Sequence, residues 1–442
     1  MKIIFTLLVL CGLCLNTNAQ ELKNKIVLSI APKATNVQFT VKLDGANKYT
    51  VNFGEGEGIK TFEKAAGEFI DTKYTFKTTK AQQREITINA AHVVTLRVTN
   101  SNAINGIKEI VSDKIKDLGF TSTKLDAYSS LNLSQCPNLV NAVFIGSNLE
   151  IVKLPVGKTL ESIQVSAAWN GEKKSLKEIN LSDAEGLKSI LITDAVIKEV
   201  DLTKQPNIET LCIYNPNKIG LRVLKGAKAM TKITRLNLNG NNLGYDQIPA
   251  KVVEEIPLEQ FLYKQTFYYL AKDKISGTTL DLNHLLTSKG IDNKPHPTEF
   301  SFIWKTEDKN ATWTNVPDKN ITIKNGKYTF DPTPLNTNKF IVAIKMRNAG
   351  FPDVSKKEWY QSYNIHLVKG TTNGISTIAT KGGVNFNVTA AGVQLYADTT
   401  TLIRIYNVNG QKIWEGVAPA YVPLQKGMYI LSTANGNVKF VK

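Results

Sequence analysis

The sequence predicts a mainly β protein: a solenoid of coils about 21 residues long, flanked by β-sandwich domains. Two observations predict it. One apolar frame, Ø-x-x-Ø-x-Ø with Ø an apolar residue, recurs through the middle of the chain. On both sides of it, short alternating segments are punctuated by Gly, Asn and Asp, the chemistry of strands and tight turns. Composition bounds the size. A chain of 442 residues, 42% hydrophobic and 21% charged, is ordinary globular material, long enough for about three domains.

Residues 1–19 read as a secretory signal peptide. Met1-Lys2 supplies positive charge, 3–15 is an apolar run, and Asn16-Thr17-Asn18-Ala19 is polar and ends in a small residue. Neither Cys11 nor Cys14 follows the small residue that lipid attachment requires. No later segment approaches the ~18 apolar residues a membrane span needs.

Residues 20–91 read as an N-terminal β-sandwich. "VQFTVKL" (37–43) and "KYTVNF" (48–53) alternate around the turn "DGAN", and "KYTFKT" (73–78) and "EITINA" (85–90) follow. "GEGEG" (54–58) is read as a turn rather than a phosphate loop, because Ile59 stands where a third Gly belongs and no helix follows.

Residues 92–257 hold the repeat. The frame fits Val93-Leu96-Val98, Ile115-Leu118-Phe120, Tyr128-Leu131-Leu133, Leu149-Val152-Leu154 and Leu160-Ile163-Val165. It fits again at Leu176-Ile179-Leu181, Leu187-Ile190-Ile192, Ile197-Val200-Leu202, Ile208-Leu211-Ile213 and Ile233-Leu236-Leu238. Among the starts 176, 187, 197 and 208 every second one is 21 residues on, and upstream 128 to 149 is also 21. The steps from 149 to 176 and from 160 to 187 are both 27, and a six-residue polar loop, "WNGEKK" (169–174), explains both. Each coil then supplies two short strands to two faces. Stacked coils share a core that no single coil can bury. Asn241 suits a corner, where its amide bonds turning backbone, and Cys136 takes the equivalent corner in "LNLSQCPNL".

These residues resemble the leucine-rich repeat family in a short-period bacterial form, over about residues 92–250. Leu236, Leu238, Asn241 and Leu243 match the family pattern fully; other copies carry Cys136, Ala184, Ala195, Gln205 or Pro216 at the Asn place.

Residues 258–369 return to strands, at "FSFIW" (300–304), "NITIKNGKYTF" (320–330), "FIVAIKM" (340–346) and "YNIHLV" (363–368). Asn325-Gly326 is hairpin-turn chemistry and Trp304 is a core candidate. The spacing suggests an immunoglobulin-like sandwich. Further upstream, "YTVNFGEG" is similar to the strand-turn of PKD-like sandwiches, with Phe53 for Trp and Glu55 for Asp.

Residues 370–442 follow the linker "KGTTNGIS" (369–376). Ile405, Tyr406, Asn407, Gly410 and Gln411, then Gly427, Tyr429 and Ile430, then the closing strand to Lys442 resemble the C-terminal sorting domain of type IX (Por) secretion cargo. Asn409-Gly410 reads as a type I′ hairpin turn. The resemblance implies a Gram-negative host, export through secretion machinery that reads residues 376–442, and an outer-surface or secreted location.

Chemistry is sparse. His92, His284, His296 and His366 show no metal-ligand spacing, and there is no C-x-x-C, G-x-S-x-G or Cys-His signature. No catalytic residue, metal or cofactor is expected. Cys136 and Cys212 lie in coils too far apart to bridge and are expected as free thiols. Net charge is +16, but lysine is spread along the chain without an arginine cluster, which argues for solvated surface or an anionic cell-surface partner rather than nucleic acid.

Two outward strips follow from the frame. One is small and polar: Asn132, Lys153, Asn180 and Asp201. The other carries Phe144, Gln164, Leu191, Cys212 and Tyr214, and exposed aromatics and aliphatics in one strip mark an interaction site. The expected function is therefore adhesion to, or capture of, an extracellular protein or glycan, with Phe144, Gln164, Leu191 and Tyr214 as ligand-binding candidates. The alternative is a secreted hydrolase or a carbohydrate-active accessory module.

Overall fold

The computed structural model describes residues 24–54, 56, 58–167, 175–215, 220–251, 256–354, 358–369, 378–379, 384–388, 392–397, 402–417, 420–433 and 436–441. The expected signal peptide, Glu55, the "WNGEKK" loop, Pro216, the linker at 370–376 and Lys442 lie outside the described residues. Among those described, strands dominate, and the helices are single 3-10 turns such as Leu181–Asp183 and Tyr245–Gln247. The chain forms two compact units. The first holds 1–269, 284–300 and 346–361; the second holds 270–283, 301–345 and 362–442, so the segment 258–369 contributes to both.

The first unit is organised by one ten-stranded sheet. Its strands from Val93–Thr99 onward are parallel: Asp117–Thr121, Asn141–Ser147, Ser162–Ala167, Ser189–Thr193, Thr210–Tyr214, Arg235–Asn237 and Phe261–Leu262. The register partners Leu96, Leu118, Ala142, Ile163, Ile190, Leu211, Leu236 and Phe261 are all buried. Their steps are 22, 24, 21, 27, 21, 25 and 25 residues. The coil therefore averages about 24 residues, not 21, because most coils add residues at their corners while the inward frame is kept.

Two copies of the frame are additional to those legible above. Leu139-Ala142-Phe144 is a full copy with buried apolar residues, and Leu221-Leu224 is a copy whose third place is Gly226. Across the coils lie the second-face strands: Ser130–Asn132, Ile151–Lys153 and Glu178–Ile179 in one ladder, Glu199–Asp201 and Val223–Lys225 in another.

Buried amides hold the corners. Asn241 donates from Nδ2 to the carbonyls of Ile213 (2.7 Å) and Leu238 (2.9 Å), while its Oδ1 accepts from the Leu221 N–H (2.9 Å). Asn215 and Gln265 do the same work one coil before and after: Asn215 Oδ1 accepts from Ala195 N–H, and Gln265 Nε2 donates to Leu238 O. Asn215 thus supplies the amide beside Pro216. On the second face Gln205 donates to the carbonyls of Leu181 and Ala184, and Cys136, fully buried, fills its corner as expected. Such side chains satisfy backbone groups that a turning chain would otherwise bury unpaired.

A second corner rule was not visible in the frame. Asn100, Ser122, Gly146, Asp194 and Gly240 all have positive φ, from 51° to 77°. Each lies four residues past an inward rung residue, at Leu96, Leu118, Ala142, Ile190 and Leu236. The chain leaves these five strands through a left-handed residue, Asn, Asp or Gly in all but Ser122; the strands of Ile163 and Leu211 do not share it.

The sheet begins with antiparallel strands. Phe69–Thr75 pairs with Asn36–Leu43, which pairs with Val93–Thr99. The boundary expected at 91–92 falls just before the strand that joins the two patterns. A five-stranded sheet accompanies it, in the order Ile59–Glu63, Lys48–Asn52, Arg84–Asn89, Lys25–Ile30, Ile104–Val111. Phe53 stacks on Tyr74 with ring centroids 3.8 Å apart, and Tyr49 hydrogen-bonds Thr72, so side chains of the two sheets share a core.

In the second unit Asn325 and Gly326 have φ of 50° and 69°, and Lys324 pairs with Lys327: a two-residue type I′ turn, as the dipeptide predicts. Trp304 is buried against Phe340, edge to face at 6.1 Å. The C-terminal segment forms two four-stranded sheets that share an apolar core containing Phe386, Leu395, Ile405, Leu431 and Phe440. Its Asn409-Gly410 turn corrects the expectation. Only Gly410 has positive φ (78°), Gly410 N–H donates to Asn407 O, and the ladder shifts register between Ile405 and Tyr406. This is the three-residue loop that ends in a left-handed glycine with a bulge, not type I′.

Candidate binding face

Parallel pairing fixes which side chains stand outward. Along the central rung the register runs Arg97, Gly119, Val143, Gln164, Leu191, Cys212, Asn237, Leu262. Two residues earlier on each strand it runs Thr95, Asp117, Asn141, Ser162, Ser189, Thr210, Arg235. Two residues later stand Thr99, Thr121 and Ile145, then Ser166, Thr193 and Tyr214. The shift at Gly146 separates those two stretches, and Gly146 N–H donates across it to Ser166 Oγ.

Phe144 is not on this face. It pairs with Phe120 and Val165, both inward, and its ring is fully buried, stacked on Phe120 at 6.1 Å. The outward neighbour is Val143. The period of two in a strand leaves no choice once Ala142 is inward. Gln164, Leu191 and Tyr214 do stand outward and are partly exposed. Cys212 stands in the same row, but only 6% of it is exposed, and burial pushes its thiol pKa up, with Arg235 pulling the other way. Cys136 is pushed up to about 12 by the same cause. Both cysteines are free thiols.

One property unites the four central strands, Asn141–Ser147, Ser162–Ala167, Ser189–Thr193 and Thr210–Tyr214. None contains a charged residue. The outer rows are hydroxyls and an amide with Ile145 and Tyr214; the middle row is Val143, Gln164, Leu191 and Cys212. Charge returns at the edge. Glu161, Lys188 and Glu209 precede successive strands, and Lys188 Nζ lies 2.9 Å from Glu161 Oε1. An uncharged centre inside a charged rim is the anatomy of a protein interface.

The second face is built otherwise. Lys153, Glu178, Glu199, Asp201 and Lys225 stand on its strands, and Lys225 Nζ lies 2.5 Å from Glu199 Oε1. Asp201 accepts from Thr203 Oγ1 and N–H, which hold its carboxyl pKa down. These groups are solvated and locally satisfied.

Three of the four histidines have ordinary partners: His284 meets Tyr268 Oη at 2.9 Å, His296 meets Asp292, and His366 meets Glu307 at 3.1 Å. Among the described residues, no group of three or more His, Cys, Asp or Glu is placed to hold a metal ion, and no helix is long and apolar enough to cross a membrane.

No family model matches the chain, and no curated protein does. Among solved structures it is similar to the functional domain of InlJ from Listeria monocytogenes, described as including a cysteine ladder. The identity is 15% and the TM-score 0.30, over 62% of this chain and 57% of that one. The chain thus spans little more than half the length of that structure. Its own strand register is that of a parallel β-solenoid.

Proposed function

We propose that this chain is a secreted, surface-displayed binding protein that captures an extracellular protein or glycan on the uncharged face of its solenoid, and that it acts by binding rather than catalysis. The observation that carries the reading is the charge-free centre around Val143, Gln164, Leu191 and Tyr214, in a chain of which 21% is charged. A face selected only for solubility has no reason to exclude charge, whereas a partner's surface would have to desolvate any charge placed there. Export is part of the same proposal, with residues 1–19 as a signal peptide and 376–442 as a sorting domain for display at the outer surface of a Gram-negative cell.

The test is a screen of the pure protein on glycan and host-protein arrays beside a hydrolase panel, repeated with Leu191→Arg. A ligand lost on substitution supports the reading. Turnover of any substrate that survives the substitution overturns it. Export is tested separately: deleting residues 437–442 strands the protein in the periplasm, and surface display of the truncated chain refutes the sorting assignment.

A further inference from the structure

The N-terminal end of the ten-stranded sheet has a different chemistry. Segments 31–36 and 99–103, with Gln38, line an open groove of about 600 Å³. Lys33, Asn36, Gln38, Thr99, Asn100 and Asn102 line it, and no carboxylate does. Its walls are tied by backbone bonds: Ala31 N–H to Ala103 O at 2.7 Å, Lys33 N–H to Lys80 O at 2.8 Å, and Phe76 N–H to Thr35 O at 2.8 Å. Further along the same sheet, on the neighbouring strand Phe69–Thr75, Phe69 is 37% exposed, with Lys42 Nζ 5.4 Å and the Arg97 guanidinium 5.0 Å from its ring centroid. Two acids lie in that area: Asp71 accepts from Thr40 Oγ1 at 2.8 Å, and Asp126 lines, together with Lys124, an adjoining pocket that shares Ala31, Pro32, Ser101 and Asn102 with the groove.

We propose that this groove binds an acidic saccharide, a sugar that bears a carboxylate. Four side-chain amides offer donors and acceptors together, which suits a ligand whose hydroxyls are both. Lys33 supplies the charge for a carboxylate, and no lining acid competes for it. An apolar peptide side chain finds only the small surfaces of Ala31, Pro32, Ala34 and Ala103. The inference does not depend on the solenoid face, since no residue of the four uncharged strands lines the groove.

Calorimetry of the full chain with trigalacturonate and with its methyl ester, at low salt where charge is least screened, tests it. The acid form binds more tightly than the ester, by on the order of tenfold for one charge-assisted contact. Lys33→Asn, which keeps a residue tolerant of the φ of 62° there, abolishes that preference. Asn100→Gly combined with Asn102→Ala preserves the left-handed backbone and weakens both forms alike. Leu191→Arg changes neither, which keeps this result apart from the fate of the solenoid face. Binding of neither form, equal binding of both, or a preference that survives Lys33→Asn overturns the proposal.

Discussion

On the strands from Asn141 to Tyr214 of the long ladder, no outward residue is charged, while across the same coils Lys153, Glu178, Glu199 and Asp201 face water. The inward halves of the two faces are interchangeable: Ile163 and Val165 on one, Val152 and Leu154 on the other, all buried. The core therefore dictates nothing about what stands outside. In a solenoid each coil needs only its inward residues to stack, so the outward residues of each face are free to follow what that face meets. The second face is written for water. On the function proposed above, the first is written for a partner that would have to strip water from any charge.

The sharpest way to break the comparison is to ask whether inward and outward are assigned correctly at one pair of neighbours. Phe144→Ala removes a fully buried ring stacked on Phe120 and should cost about 4 kcal/mol. Val143→Ala, one residue away and outward, should cost under about 1 kcal/mol. Hydrogen exchange at the Phe120 and Val165 amides reads this ladder without the second unit. Equal costs would mean that the two sides of the rung are not distinct.

The corner amides come next. Asn241→Ala deprives the carbonyls of Ile213 and Leu238 and the N–H of Leu221 of their partner in a buried corner. The expected cost is about 3 kcal/mol. Asn132→Ala, exposed on the second face and bonded to the local Ser134 N–H, should cost about 0.5 kcal/mol or less. Exchange at the Leu211 and Leu236 amides measures the first, and an unchanged rate there would remove the amide ladder from the account of the fold.

How much of this was legible in the sequence follows from the same contrast. The frame was legible because burial demands large apolar residues at fixed spacing. It was missed at Leu139-Ala142-Phe144, where the middle place is a small residue, and that omission is what misplaced Phe144. Pairing with Asp117–Thr121 and Ser162–Ala167 is non-local and settles the register. The charge-free face was not legible, because its twelve outward residues are scattered over about 75 positions until the strands are aligned. Turn chemistry was legible only as far as the dipeptide decides it. Asn325-Gly326 joins strands in a simple register, whereas Asn409-Gly410 is preceded by Asn407, whose side chain accepts from the N–H of Asn409 and of Gln411 and holds a longer loop.

The functional side of the comparison has a smaller expected signal. Leu191→Arg puts a charge at the centre of the uncharged face and should weaken partner binding by about tenfold, roughly 1.4 kcal/mol. Asn132→Arg on the second face should change it less than about twofold, since a rim or solvated charge acts mostly on encounter. Surface plasmon resonance with the array-identified ligand measures both. Loss on Asn132→Arg alone would transfer the site to the charged face.

The smallest effect separates two thiols. Cys136 is sealed in a second-face corner, while Cys212 stands on the outward row of the first face, covered by its neighbours. Both should resist alkylation in the native protein, with Cys212 reacting first because only the outer cover need part. Burial raises both pKa values, Cys136 to about 12. The folded state therefore holds its thiol protons more tightly than the unfolded chain, whose thiols titrate near about 8.5. The associated stability is complete below that pH and is lost as pH rises above it, until the folded pKa of about 12 is passed. Between pH 7.5 and 9.5 the Cys136 share of the loss should be about 1 kcal/mol. Cys136→Ala should flatten the pH dependence of ladder stability in that window by this amount, whatever it costs in packing. An unchanged slope, or equal alkylation rates for the two thiols, would show that the corner and the face are equally open to solvent.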